Sequence, residues 1–181
     1  MHFENKTLDE IIQLLILKVL DLLRFSTPAL PNNLLNRRTL LLGEGNFSFG
    51  YSILKLGLID PDMLVATTIK SKTELSSQAQ QNVFKIQSLG GLVLFNVNAM
   101  NIDKKFGASK FHQIIFQFPN AANRSSMWGK TSNHFLVRRF LVSCIKNLTE
   151  NGRIYISIVD SPYYFGSFQL TRAAKKANLK L

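Results

Sequence analysis

The sequence lacks the features that mark several large classes of protein. Cys144 is the only cysteine among 181 residues, which excludes an internal disulfide and a zinc site built on a cysteine cluster. The apolar neighbours of this cysteine, residues 140–145, predict a buried thiol in a reducing compartment. There is also no internal repeat and no low-complexity segment. These absences favour a globular intracellular protein without a cysteine-held metal.

Long uncharged apolar runs are also missing. The most apolar stretch, residues 8–25, is interrupted by Lys18 and Asp21, so its uncharged part is too short to cross a bilayer. It predicts an amphipathic helix that packs on its own domain, with a homodimer contact as the alternative. We therefore divide the chain into an N-terminal helix and connector, residues 1–38, and one domain, residues 39–181.

Acidic residues are scarce. The chain has 11 Asp and Glu against 22 Lys and Arg, which gives a net charge of +11. Such a balance favours a polyanionic partner, and nucleic acid is the usual one. A general solubility feature is the alternative, because the bases form no long run.

Strand-like and helix-like patterns alternate along the second region. Strands are predicted at 39–42, 63–69, 92–97, 112–118 and 153–159, and helices at 49–56, 72–88, 133–148 and 168–177. This alternation predicts an α/β fold of the Rossmann-like kind, with a doubly wound, mostly parallel sheet.

A glycine-rich turn follows the first predicted strand. The loop after the first strand of an open α/β sheet is where a nucleotide-like ligand meets the backbone. Gly43 and Gly45 allow a sharp turn and a close ligand approach, and Asn46 or Ser48 can cap the helix that follows. An ordinary tight turn is the alternative, since a glycine pair alone is a weak signal.

The whole string at 42–49, Leu-Gly-Glu-Gly-Asn-Phe-Ser-Phe, resembles the signature of Rossmann-like methyltransferases of the large-subunit ribosomal RNA uridine N(3)-methyltransferase type. Further matches follow in order at 64–68, 93–99, 110–121 and 152–157. The resemblance implies S-adenosylmethionine as cofactor and an RNA base as substrate, namely uridine N(3) of large-subunit ribosomal RNA. It also implies a nucleolar or nuclear location in a eukaryote and a cytoplasmic one otherwise. The antiparallel hairpin that usually ends such a fold is not expected before Leu181.

The expected site residues form three groups, of which the resemblance implies the first two. The cofactor group is Gly43, Glu44, Gly45, Asn46, Phe47, Ser48, Ser71, Asn98, Ala99 and Phe118. Glu44 is expected to bind the cofactor's ammonium group or a ribose hydroxyl, and Phe118 to stack on the target base as well. The catalytic group is Gln117, Pro119 and Asn120. The side-chain amides of Gln117 and Asn120 can form hydrogen bonds with the edge of the base. RNA phosphates are expected at the loop bases Lys72, Arg124 and Lys130.

Several positions depart from the family pattern. Lys70 stands where an acid is expected for the ribose, and a lysine cannot accept hydrogen bonds from a diol. Asn98 replaces a second acid, Gln117 an Asn and Asn120 a His, and the nearest acid to the base site is Asp160. These substitutions favour, as the alternative, a weak or inactive methyltransferase-fold module that binds RNA or a protein. A nicotinamide dinucleotide enzyme is the third hypothesis, although the turn lacks its third glycine.

Overall fold

A computed structural model describes residues 37–121, 131–159 and 166–181 of the chain, within a compact unit that spans Leu35–Leu181. Several predicted features lie outside the described residues: the helix at 8–25, its connector up to residue 36, Arg124, Lys130 and Asp160. Within the described ranges, no helix combines the length and the apolar character that a membrane crossing requires.

Strands and helices alternate throughout these ranges. The strands are β1 (Thr39–Leu42), β2 (Leu64–Thr67), β3 (Leu92–Leu94), β4 (Phe111–Gln117) and β5 (Leu148–Ser157). The α-helices are α1 (Ser48–Lys55), α2 (Ser77–Ser88), α3 (Ile102–Phe106), α4 (Ser132–Cys144) and α5 (Leu170–Lys176). Short 3-10 turns occur at Pro61–Met63, Lys72–Glu74, Ala99–Asn101 and Ile145–Asn147.

The described strands form one sheet in the order β3-β2-β1-β4-β5, and every neighbouring pair is parallel. This confirms the predicted Rossmann-like α/β fold. The chain runs outward from β1 to β3 and then returns to place β4 on the other side of β1. Such a switch point opens a crevice at the carboxyl ends of the two central strands, where open α/β sheets bind ligands.

Successive side chains of each strand enter two separate cores. Leu40 and Leu42 of β1 pack with α3, α4 and α5, whereas Leu41 packs with α1 and α2 on the other face. This is the two-residue period of a strand buried on both sides, and it explains why β1 is apolar throughout. Cys144 is fully buried in the first core, and burial raises the pKa of its thiol well above the ordinary value. The predicted buried thiol is thus confirmed.

Several predicted boundaries were wrong. The fifth strand, predicted at 153–159, begins at Leu148, and the helix predicted at 133–148 ends at Cys144. The helix predicted at 72–88 is interrupted, because Leu75 is extended and buried. α2 begins only after Ser76, whose Oγ accepts a hydrogen bond from the N–H of Ala79 at 3.3 Å. The third strand was predicted to reach residue 97 but ends at Leu94, since Asn96 has a φ of 56° that no strand accommodates.

Candidate functional site

The glycine turn lies at the carboxyl end of β1, against β4. Gly43 has a φ of +67°, and a Cβ at this position would lie 2.6 Å from Cε2 of Phe116. Glycine is therefore required both by the backbone angle and by the close approach of the ring. In contrast, a Cβ on Gly45 would meet no atom within 4 Å. The turn is packed at Gly43 and open at Gly45, which leaves space for a ligand over the second glycine.

Glu44 is buried inside this turn, with 7% of its surface exposed. Its N–H donates to the carbonyl of Thr67 at 2.9 Å, and its carboxylate Oε2 accepts from the N–H of Gly50 in α1 at 3.3 Å. Burial raises the pKa of this carboxyl from 4.5 to about 7, and the hydrogen bond from Gly50 offsets only part of the rise. Within the described residues, Oε1 accepts no hydrogen bond. A desolvated carboxylate with a free oxygen suits a ligand that offers a cation or a hydroxyl.

Two hydrogen bonds and one buried ring fix the rest of the turn. Asn82 of α2 donates to the carbonyl of Asn46 at 2.9 Å, and Asn46 Oδ1 accepts from the N–H of Ser48 at 3.1 Å. Phe47 has a φ of 61° and is wholly buried, edge-on to Phe95. The residue before α1 is thus Phe47, which anchors the helix in the core and has no side-chain cap. Phe47 can contact a ligand only through its backbone.

The loop after β2 contains an acid that the sequence reasoning missed. Lys70 is exposed, and Oε2 of Glu74 accepts from the N–H of Ser71 at 2.7 Å and from its Oγ at 2.6 Å. These bonds, the hydroxyl's above all, lower the pKa of Glu74, and the charge of Lys70 adds a smaller effect. Ser-x-x-Glu at 71–74 is a capping-box pattern, so the signal was present in the sequence. An ionised carboxylate therefore lies next to the predicted cofactor residue Ser71.

Asn98 and Ala99 follow the third strand. Asn98 Oδ1 accepts from the N–H of Met100 at 2.9 Å and so caps the short turn that follows. Ala99 is buried, and its carbonyl accepts from Ser143 Oγ of α4 at 2.9 Å. The amide nitrogen of Asn98 donates no hydrogen bond to another described residue. The amide nitrogen is thus the group of Asn98 that is available to a ligand, and it is a donor. The sequence-based prediction assigned ligand binding to the side-chain carbonyl oxygen, which is an acceptor.

The predicted base-binding patch, residues 117–120, follows β4. Phe118 has a φ of 48° and is 59% exposed, while its N–H donates to the carbonyl of Ser157 in β5 at 2.8 Å. A bulky residue in the left-handed region is strained, and such strain is common at functional sites. The other members differ in exposure: Pro119 is buried, Gln117 is partly buried and Asn120 is exposed. The patch presents a phenyl ring and an amide at the carboxyl edge.

α4 begins beside the same edge and holds it in place. Asn133 Oδ1 accepts from the N–H of Ala121 at 2.8 Å, directly after the patch at 117–120. Nδ1 of the buried His134 lies 3.0 Å from the carbonyl oxygen of Phe168. The start of α4 therefore joins the loop after β4 to the segment before α5. No local pattern marks Asn133, because its partner lies in a separate loop.

The sheet order decides which predicted residues come together. β2, β1 and β4 are neighbours, so the loops at 71–74, 43–48 and 117–120 adjoin one another along the carboxyl edge. The loop after β3 is attached to the loop after β2, since the N–H of Asn96 donates to the carbonyl of Lys70 at 3.1 Å. Lys72 is exposed in the same region.

A family model described as rRNA (uridine-N3-)-methyltransferase BTM5-like matches residues 40–181. The chain belongs to this BMT5-like methyltransferase family. The match covers the glycine turn and β2 to β5, and it confirms the resemblance that the motif at 42–49 indicated.

Curated relatives of this BMT5-like domain occur in animals and plants. The chain is 32% identical over 130 residues to the mouse ferredoxin-fold anticodon-binding domain-containing protein 1 homolog, covering 69% of this chain and 20% of that protein. The human protein of the same name is 31% identical over 126 residues, covering 67% of this chain and 20% of that protein. An uncharacterized protein of Arabidopsis thaliana is 30% identical over 155 residues, covering 80% of this chain and 73% of that protein. The chain thus spans about a fifth of the length of the mouse and human relatives.

Proposed function

We propose that this domain is an S-adenosylmethionine-dependent methyltransferase that acts on an RNA base, with uridine N(3) of large-subunit ribosomal RNA as the target. The observation that carries the proposal is the turn at 43–45, open at Gly45 and holding a buried Glu44 at the switch point of the sheet. Membership of the BMT5-like family supports the reaction, and the net charge of +11 supports an RNA substrate.

The residues at the carboxyl edge fit the proposed cofactor at two places. The free oxygen of Glu44 suits the ammonium group of a methionine moiety, which would replace the water that burial has removed. Glu74 suits the ribose hydroxyls, because it is ionised, exposed and next to Ser71. It is also the only acid in the sequence between Asp62 and Asp103. Glu74 would thereby take the role of the acid that the family has at the position of Lys70.

Methyl transfer from this cofactor requires mainly that the protein align the base with the methyl group. When bound, the cofactor supplies a methyl group activated by a sulfonium centre. Phe118 can stack on the base and exclude water, and the amides of Gln117 and Asn120 can orient the base edge. A uridine imide must lose its proton, but an amide side chain cannot accept one. We therefore expect the rate of methyl transfer to rise with pH as the imide ionises.

A second function has support of its own. Lys70 is exposed where a ribose acid is expected, and the amide oxygen of Asn98 already accepts a backbone hydrogen bond. Both observations suit a module that has the methyltransferase fold and holds RNA or a protein without turnover. This function predicts that the domain binds neither S-adenosylmethionine nor its demethylated product.

Calorimetric titration with S-adenosylmethionine and S-adenosylhomocysteine separates the two functions. We expect dissociation constants on the order of micromolar for the wild type. Gly45→Ala should weaken the binding of both ligands by roughly tenfold, because the Cβ of the alanine would enter the open space over the turn. The thermal unfolding temperature of this variant should stay unchanged. If a folded wild type shows no binding at about 1 mM ligand, the cofactor proposal is wrong and the binding module stands.

A further inference from the structure

The two helical layers of the domain differ in charge. The helices on one face of the sheet, α3, α4 and α5, carry seven Lys and Arg side chains and one acid, Asp103. The helices on the other face, α1 and α2, carry Lys55 and Lys85 and no acid. Positive charge is therefore concentrated on one of two layers of similar architecture.

The charge of this basic helical layer, the solvent side of α3, α4 and α5, is not neutralised locally. All seven bases are exposed except Arg138, which is partly buried. Among the residues that the structure describes, none of the seven forms an ion pair, and Arg172 donates only to the side-chain oxygen of Gln169 at 3.4 Å. Unpaired charges on one face sum to a positive potential that attracts a polyanion.

The outer ridge of α4 adds an aromatic side chain to this surface. Phe135, Arg139 and Val142 project from the same side of the helix, and Lys146 continues the ridge in the turn that follows. Phe135 is 43% exposed, so its ring is open to a stacking partner. α4 contacts both α3 and α5, so the bases of those helices flank the ridge. Bases interleaved with an exposed ring are typical of nucleic-acid-binding surfaces.

We propose that the basic helical layer binds the phosphate backbone of the same RNA whose base enters the carboxyl edge. The proposal rests on the RNA substrate proposed above. The surface is continuous with the site, because α4 begins at the bond from Ala121 to Asn133. From there its 13 residues extend for about 20 Å, a length that spans several phosphates. An acidic protein surface would match the charges but would give no role to a single exposed ring.

Matched charge changes on the two layers test this proposal. Arg139→Gln with Lys175→Gln removes two charges from the basic helical layer, and Lys55→Gln with Lys85→Gln removes two from the other layer. Each protein is titrated with a fluorescent RNA hairpin at several salt concentrations. The first double variant should bind roughly tenfold more weakly, and the slope of log K against log salt should fall by about 1.5 to 2. The second should match the wild type in both respects.

A third variant addresses the ring. Phe135→Ala should weaken binding of the hairpin by about fivefold without changing the salt slope, because stacking releases no counterions. Equal RNA affinities for the two double variants would overturn the proposal. Each protein is also titrated with vesicles of phosphatidylserine. If the first double variant lost binding to these vesicles but bound RNA like the wild type, the layer would be a membrane surface and the proposal would also be overturned.

The proposed function is tested separately in the same proteins. Titration with S-adenosylhomocysteine should give the wild-type affinity in all three variants, because the altered residues lie away from the glycine turn. If the wild type binds this compound but not the hairpin, the basic-layer proposal is overturned while the cofactor site stands. If it binds the hairpin but not the compound, the cofactor proposal alone is overturned.

Discussion

The loops after β1 and β2 adjoin each other at the carboxyl edge, but different forces fix their shapes. In the first, Gly43 packs on Phe116 and the ring of Phe47 lies in the core. In the second, short hydrogen bonds between the partly buried Ser71 and the exposed Glu74 set the conformation. Removing the packing contacts of the first loop should therefore lower the stability of the domain, whereas changes in the second should lower cofactor affinity alone.

The largest effect is expected from Gly43→Ala. The added Cβ would meet Phe116 at 2.6 Å, and the φ of +67° is strained for any other residue. Overpacking and backbone strain together should lower the free energy of unfolding by about 4 kcal/mol, measured by urea denaturation. Gly57→Ala is the control, because its φ is +63° but no atom lies within 4 Å of the added Cβ. It should cost about 1 kcal/mol, and equal losses in the two variants would show that the ring contact is unimportant.

Glu44→Gln should stabilise the domain and weaken the cofactor site. The carboxyl has a pKa of 4.5 in the unfolded chain and about 7 in the fold, so between these values only the unfolded chain has released the proton. Wild-type stability therefore falls as pH rises through this window and stays lower above it. The variant avoids this loss and should gain about 3 kcal/mol in free energy of unfolding above pH 7, and nothing below 4.5.

Denaturation of both proteins across that pH range measures the gain, and titration with S-adenosylhomocysteine measures the loss of affinity. A stability difference that is constant with pH would show that Glu44 does not titrate in this window. Unchanged affinity would remove Glu44 from the cofactor site. Together the two readouts test whether the loop after β1 couples binding to stability.

Glu74→Gln tests the loop after β2. It should weaken binding of S-adenosylhomocysteine by about tenfold while thermal unfolding changes little, because the side chain is fully exposed. Ser71→Ala is the control, since it removes the hydroxyl that donates to Glu74 but keeps the carboxylate, and it should weaken binding less. Lys70→Asp should strengthen binding by restoring an acid at the end of β2. An unchanged affinity of Glu74→Gln would leave the ribose without a partner in this loop.

A modest loss of stability, together with a slower reaction, is expected from Asn133→Ala, which releases the loop after β4. Losing the acceptor for the N–H of Ala121 should cost about 1 kcal/mol in free energy of unfolding. Methyl transfer should slow while affinity for S-adenosylhomocysteine stays constant, because only the base-binding patch is released. Asn133→Asp keeps the acceptor oxygen and should restore the rate. A variant that loses cofactor affinity as well would show that this loop is not independent of the other two.

Most of the fold could be predicted from the sequence, because its determinants are local. The apolar runs of β1 and β4 predict buried parallel strands, and the string at 42–49 marks the turn at the switch point. The break at Leu75 could not be predicted, because this leucine leaves the helical path only to reach the core. Helix periodicity does not record such a tertiary contact.

Less of the candidate site than of the fold could be predicted from the sequence. The burial of Glu44 depends on the fold around it, since a glutamate between two glycines otherwise indicates an exposed turn. Glu74 carries a capping signal, but the prediction of one continuous helix at 72–88 gives this residue no separate role. Asn133 carried no signal at all, because its bond to Ala121 joins two segments that only the folded chain brings together.

The most direct test of the central claim is a crystal structure of the chain with S-adenosylhomocysteine. We predict that its amino-acid end lies over Gly45 with the ammonium group bonded to Glu44, and that its ribose hydroxyls lie at Glu74. A ligand bound elsewhere on the domain, with the turn at 43–45 left vacant, would contradict the account.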